Sequence, residues 1–175
     1  MKKVLKKSNG KILSGIGILT AFILVVSLFF SGVVGKSFDY ISAIYAAVLS
    51  SLANNDRSRE NLESLTINPS LVAAAQMKAD DMAEKGYFSH NTPEGLSPWY
   101  WFDKAGYKYK YAGENLAVNF DESQNVEDAW MASPTHRWNI LNRNFTEIGI
   151  ATSTGIYQGR ETIFVVQMFG RPSGE

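Results

Sequence analysis

The chain contains only two histidines, His90 and His136, and both sit beside turn-forming residues where functional groups are commonly carried on a rigid scaffold. Between them lies Glu114, in the run Gly113-Glu114-Asn115. A carboxylate brought between two imidazoles can do general acid/base work, or hold a divalent ion through two nitrogens and one oxygen. Separations of 24 and 22 residues leave the convergence of the three open, against the plainer reading of ordinary hydrogen-bonded surface histidines. Other signatures are missing from the sequence. There is no Gly-x-Ser-x-Gly elbow, His-Glu-x-x-His helix, phosphate-cradling glycine loop or calcium-binding EF-hand loop. Cysteine is absent, which excludes disulfides, thiolate metal sites and cysteine nucleophiles.

The elements that would position these residues can be read from pattern. Phe38, Ile41, Tyr45, Val48 and Leu52 form an apolar stripe at helical spacing, ended by the polar run from Asn54 to Glu60. Asn68 as cap, Pro69 in the first turn and Gly86 as stop delimit a second helix that buries Leu71, Ala75, Ala79 and Met82. A short aromatic helix starts at Ser97-Pro98 and stops at Gly106. Tyr107 to Tyr111 alternates as a strand, and Leu116 to Phe120 reads as a further strand element. Gly113 between them reads either as a gap that lets Glu114 approach the histidines or as a turn needing positive φ. Both readings put Glu114 at a bend.

Asp121 or Ser123 is the expected cap of a third helix, in which Val126 and Trp130 share a face and Trp130 is core. Ser133-Pro134 launches another helix through Leu141. Two strands follow, Glu147 to Thr152 and Ile163 to Phe169, paired antiparallel across turn signals at Thr154-Gly155 and Gln158-Gly159. Helices and antiparallel strands in mixed order predict an α+β fold with helices covering a sheet.

Seventeen basic residues balance seventeen acidic ones in the 175-residue chain, but Lys2, Lys3, Lys6, Lys7 and Lys11 all precede residue 12. The remainder carries 12 basic against 17 acidic residues, a net charge of −5, which argues against nucleic acid as a partner. From Ile12 to Gly35 run 24 uncharged residues, 16 of them strongly apolar. As a helix they rise about 36 Å against a hydrocarbon core of about 30 Å. The segment reads as a transmembrane anchor, with a cleaved signal as the alternative. The lysines before it hold the N-terminus in the cytoplasm, which places the C-terminal part outside the cell.

Six motifs in order resemble the CAP superfamily (the cysteine-rich secretory protein, antigen 5 and pathogenesis-related 1 group) in a cysteine-free, bacterial form. They are Leu52-x-Asn54-x-x-Arg57 with Asn68-Pro69-x-Leu71; Gly86-Tyr87-Phe88-Ser89-His90 with Pro93-Glu94-Gly95; and Gly113-Glu114-Asn115-Leu116-Ala117. The others are Ala129 to Asn142, containing Ser133-Pro134-x-His136-Arg137; Phe145 to Ala151; and Val166-Gln167-x-Phe169-Gly170. The resemblance implies an α-β-α sandwich with a central antiparallel sheet and an open cleft. In many members, two His and two Glu line that cleft and hold a divalent ion such as zinc.

His90, Glu114 and His136 carry over as catalytic or metal-binding candidates, with zinc or another divalent cation as the implied cofactor. The second glutamate does not carry over. Its position, three residues after the helix tryptophan, is Ser133, and Glu127 lies outside the motif. The resulting organisation is a basic cytoplasmic segment over 1–11, an anchor over 12–35, a helix start over 36–47, a CAP domain over 48–170 and a tail over 171–175. The implied function is binding of a small apolar or cell-envelope ligand, or of a partner, in the cleft. The alternatives are a metal-dependent hydrolase and a structural module, and nothing in the sequence calls for an obligate oligomer.

The apolar run predicts that the full-length chain stays with the membrane fraction and that protease added to intact cells digests its C-terminal part. A soluble product beginning near Lys36 would instead show signal cleavage, and protection from outside protease would reverse the orientation.

Overall fold

The computed structural model describes residues 46–174. The predicted anchor Ile12–Gly35, the basic N-terminus and the stripe residues Phe38, Ile41 and Tyr45 lie outside the described residues. No helix among the described residues is long and apolar enough to cross a membrane.

A helix over 46–59, α1, leads into the short strand β1 (Thr66–Ile67), then α2 (Pro69–Lys85) and α3 (Trp99–Lys104). Strand β2 (Tyr109–Val118), helices α4 (Ser123–Ala132) and α5 (Pro134–Ile140), and strands β3 (Glu147–Tyr157) and β4 (Arg160–Pro172) complete the order. The sheet runs β1-β3-β4-β2, so β2 is an edge strand. The three long strands pair antiparallel, and β1 adds two residues parallel to β3.

Side chains alternate along β4 between two cores. Phe164, Val166 and Met168 pack with Leu71, Ala75 and Met82 of α2 and Phe102 of α3. Val165 and Phe169 pack with Leu49 and Ala53 of α1, Trp130 of α4 and Ile140 of α5. The result is the predicted sandwich, with helices on both faces of the sheet.

Several local expectations need correction. The buried face of α1 is Leu49, Ala53 and Arg57, while Val48 is 39% exposed. The shift by one residue has a clear cause: the last member of the true stripe is a charged side chain. The Arg57 guanidinium reaches four carbonyls, those of Glu63, Ile140, Asn142 and Phe145, at 2.8 to 3.4 Å. Helix α4 has Glu122 as its N-cap, with no side-chain capping bond, rather than Asp121 or Ser123.

Thr154-Gly155 is no turn but part of β3. A Cβ at Gly155 would fall 2.6 Å from the Ala83 carbonyl oxygen, so the missing side chain lets α2 lie close to the strand. The turn is Gln158-Gly159 alone, both at positive φ as a tight hairpin requires. Gly113 is likewise inside a strand. Tyr109 to Val118 is continuous, and a Cβ at Gly113 would stand 2.7 Å from the Phe145 ring. Asn68 caps α2 as expected, accepting from the backbone of Ser70 and Leu71, and Gly86 ends it in the left-handed region.

Glu127 of α4 is only 1% exposed, and no donor reaches either carboxylate oxygen. Burial first, then the negative charges of Asp56 on α1 and of Asp128, push its pKa up from 4.5 to about 8. The native chain therefore keeps a proton that the unfolded chain releases. With the folded value raised, this contribution is full below about pH 4.5 and is lost as pH rises towards about 8. Thermal melts should show Tm falling over that interval. Glu127→Gln should flatten the profile and be more stable than the parent above pH 8 by about 2–4 kcal/mol. A parent Tm that is constant across the interval would contradict this.

Candidate functional site

His90 lies in the loop after α2, Glu114 on β2 and His136 on α5. The loop of His90 is held by a buried cation. Lys78 of α2 is 0% exposed. Its ammonium donates to the Tyr87 hydroxyl at 3.0 Å and to the carbonyls of Ser89 and His90 at 2.8 and 3.1 Å. All three of its donors are thereby used. Tyr87 donates in turn to Asp81 at 2.6 Å, and Asp81 pairs with Lys85, which also meets Glu94 at 2.9 Å. Burial holds the Lys78 pKa down, partly offset by the charges of Glu114 and Asp81.

His90 and Glu114 are brought together. Nδ1 of His90 is 2.6 Å from Oε1 of Glu114, with the imidazole half exposed and the carboxylate buried. Burial raises the Glu114 pKa, while the His90 hydrogen bond and the Lys78 charge draw it back. The other oxygen, Oε2, is buried without a hydrogen-bond partner among the described residues.

His136 stands near enough to feel the charge of His90. Its pKa is lowered by burial first and by His90 second, which keeps its ring neutral at neutral pH. Its backbone is fixed by Asn115, whose side-chain amide donates to the His136 carbonyl at 3.1 Å and to Gln167 at 2.9 Å. Asn139 donates both to the Glu114 carbonyl and to the Asn115 side chain. Glu127, buried on α4 near the Asp56 carboxylate of α1, is a core residue. Among the described residues no group of three or more His, Cys, Asp or Glu side chains is placed to hold a metal ion. His90 and Glu114 form a hydrogen-bonded pair, with His136 near it.

Beside this pair is a cavity of about 250 Å³ between the His90 loop, β2 and α4. Phe88, Leu116, Val118, Phe120 and Trp130 supply apolar wall, with Ser133 and His136 as polar members. His90, Glu114 and His136 were legible from residue type and from the motif resemblance together, whereas the supporting roles of Lys78, Asn115 and Asn139 were not. A lysine within the apolar face of α2, at Ala75-x-x-Lys78-Ala79, was the one available signal for a buried cation.

The comparisons with known proteins agree with this fold. The family model described as the cysteine-rich secretory protein family, CAP, matches residues 51–169. The chain is 38% identical over 120 residues to the uncharacterized protein YkwD of Bacillus subtilis (strain 168), covering 69% of this chain and 45% of that one. It is 27% identical over 106 residues to the uncharacterized membrane protein YlbC of the same organism, covering 61% and 31%. The chain thus spans less than half the length of both curated relatives.

Among solved structures, an extracellular SCP-domain protein of Bacillus anthracis str. Ames aligns with TM-score 0.65 at 29% identity, covering 75% of this chain and 41% of that one. An outer surface protein of Borrelia burgdorferi aligns with TM-score 0.63 at 26% identity, covering 73% and 92%. The family match runs from within α1 to Phe169 of β4 and so includes both helical layers and the sheet between them. The chain belongs to the cysteine-rich secretory protein (CAP) family.

Proposed function

We propose that this chain is an extracellular CAP-domain protein, held at the cell membrane through Ile12–Gly35, that binds a small apolar molecule along the β2 edge. The observation that carries the reading is the cavity of about 250 Å³, apolar over most of its wall, with His136 and Ser133 among its lining residues. Such a composition suits a hydrocarbon body with one polar end. The location is supported by the charge-free run after five lysines, by an extracellular relative in Bacillus anthracis and by a membrane relative in Bacillus subtilis.

Dodecanoate is a suitable probe, titrated calorimetrically into the full-length chain. Saturable one-to-one binding is expected. Ala129→Trp fills the cavity from a wall residue exposed on α4 and should weaken binding by about tenfold or more. His136 is held below the usual histidine pKa, so it is neutral at pH 7 and becomes cationic only in more acidic solution. Affinity for the carboxylate should therefore rise as the pH falls below about 6.5, and His136→Ala should flatten that rise. No binding, or binding indifferent to Ala129→Trp, would dispose of the reading.

The cavity wall also depends on Lys78, because Phe88 belongs to the loop that its ammonium holds. Lys78→Met is expected to lower stability by about 2–5 kcal/mol and to weaken dodecanoate binding in the molecules still folded. Urea melts followed by titration below the transition measure both. Unchanged stability would show that the ammonium does not fasten the loop.

A further inference from the structure

We infer that α5 carries a second binding site, separate from the cavity on β2, for an acidic polysaccharide that stacks on Trp138. Trp138 is 64% exposed, the most exposed of the large apolar side chains among the described residues. An indole normally buries its large apolar ring, and an exposed one commonly marks a contact surface. Two depressions meet at this ring. One, of about 650 Å³, is lined by Met131, Leu141, Asn142 and Arg143, and the other, of about 470 Å³, by Pro134, Thr135 and Asn139. The ring is thus a ridge between two hollows, a shape that suits linked units crossing it.

Charge selects the occupant. From Ala129 to Thr146 there is no Asp or Glu, yet the segment contains Arg137 and Arg143, in a body whose residues 12–175 carry −5. Arg137 pairs with Glu60 at 3.1 Å. Arg143 is exposed and has no ion-pair partner among the described residues, which leaves its guanidinium free for a carboxylate or phosphate.

A sugar ring presents a C–H face, which an indole covers, and a rim of hydroxyls. Asn144 in one hollow and Thr135 in the other, both exposed, offer polar partners to that rim. A second copy of the chain fits poorly. A two-fold contact centred on this ring would bring the Arg143 side chains of the two copies towards each other. A nucleic acid needs a broader basic surface than two arginines on an acidic body.

The test uses the full-length chain and three polysaccharides: polygalacturonate, a phosphorylated mannan and neutral dextran, with affinity electrophoresis as readout. Retardation by at least one anionic polymer is expected, with dextran weaker by about tenfold or more. Which anionic polymer binds distinguishes carboxylate from phosphate as the group recognised. Trp138→Ala should abolish most of the retardation, Trp138→Tyr should keep most of it, and Arg143→Gln should bring the anionic polymers to the level of dextran. Dodecanoate binding in the β2 cavity should be unchanged in all three variants.

Because both side chains are exposed, the variants should melt with the parent. If Trp138→Ala melts early, Trp138→Tyr and Arg143→Gln decide the matter. No retardation by any polymer, equal retardation by dextran, or indifference to Trp138→Ala would each overturn the proposal. So would a sedimentation result in which Trp138→Ala converts a dimer to a monomer.

Discussion

An edge strand has outward backbone groups that no neighbouring strand can satisfy, and the arrangement around β2 follows from how two of them are met. The carbonyl of Glu114 accepts from the Asn139 side chain at 3.1 Å, and that of Leu116 accepts from the indole nitrogen of Trp130 at 2.9 Å. These residues, two apart on β2, draw their donors from α5 and α4 respectively. The two helices are thereby set against the edge by polar contacts, while Val126, Trp130 and Ile140 bury their apolar side chains on the adjoining face. A further strand would have closed the edge with a ladder of hydrogen bonds. Side-chain donors reach single carbonyls and leave space between them, and the cavity lined by Leu116, Trp130 and His136 occupies part of that space.

The chain also has to fasten long loops without a disulfide. Two buried cations do this on opposite faces of the sheet. Arg57 joins the segment after α1 to the end of α5 and the approach to β3. Lys78 joins α2 to the loop that carries His90. Both donate mainly to carbonyl oxygens, which are numerous where a loop turns and lack the large desolvation cost of a buried carboxylate. Burial lowers the pKa of each, but a guanidinium with four carbonyl partners has no accessible neutral state in water. Loss of either would leave several buried carbonyls without donors at once, so each acts as a cross-link between segments distant in sequence.

The layers and most elements were legible in the sequence because they rest on periodicity and on caps. Asn68-Pro69 and Gly86 bound α2 where they should, and Trp130 is core as its spacing from Val126 implies. What was not legible depends on long-range partners. The buried stripe of α1 ends in an arginine, and a pattern of apolar residues cannot register a charge whose solvation comes from residues more than eighty positions away. Gly113 and Gly155 look like turn signals, yet both sit in strands where a neighbouring ring or helix comes too close for a Cβ. Composition alone does not separate a glycine needed for its φ from one needed for its size. The pairing of His90 with Glu114 lay in the motif resemblance, whereas the lysine that places His90 had no motif to announce it.

Glu114 is where the two layers meet, and its two ends are held differently. Its carbonyl is tied to α5 through Asn139, and its strand is paired along β4 through Met168. Its side chain points to the other face, to His90 and towards the Lys78 charge. The backbone is thus fixed from both sides, and the carboxylate has little freedom to follow a proton or a ligand. The half-exposed imidazole of His90 is the partner that can move. An unpartnered Oε2 beside it costs about 1–3 kcal/mol as a buried acceptor without a donor. The buried half of the pair is therefore fixed, and the exposed half is the one that can adjust.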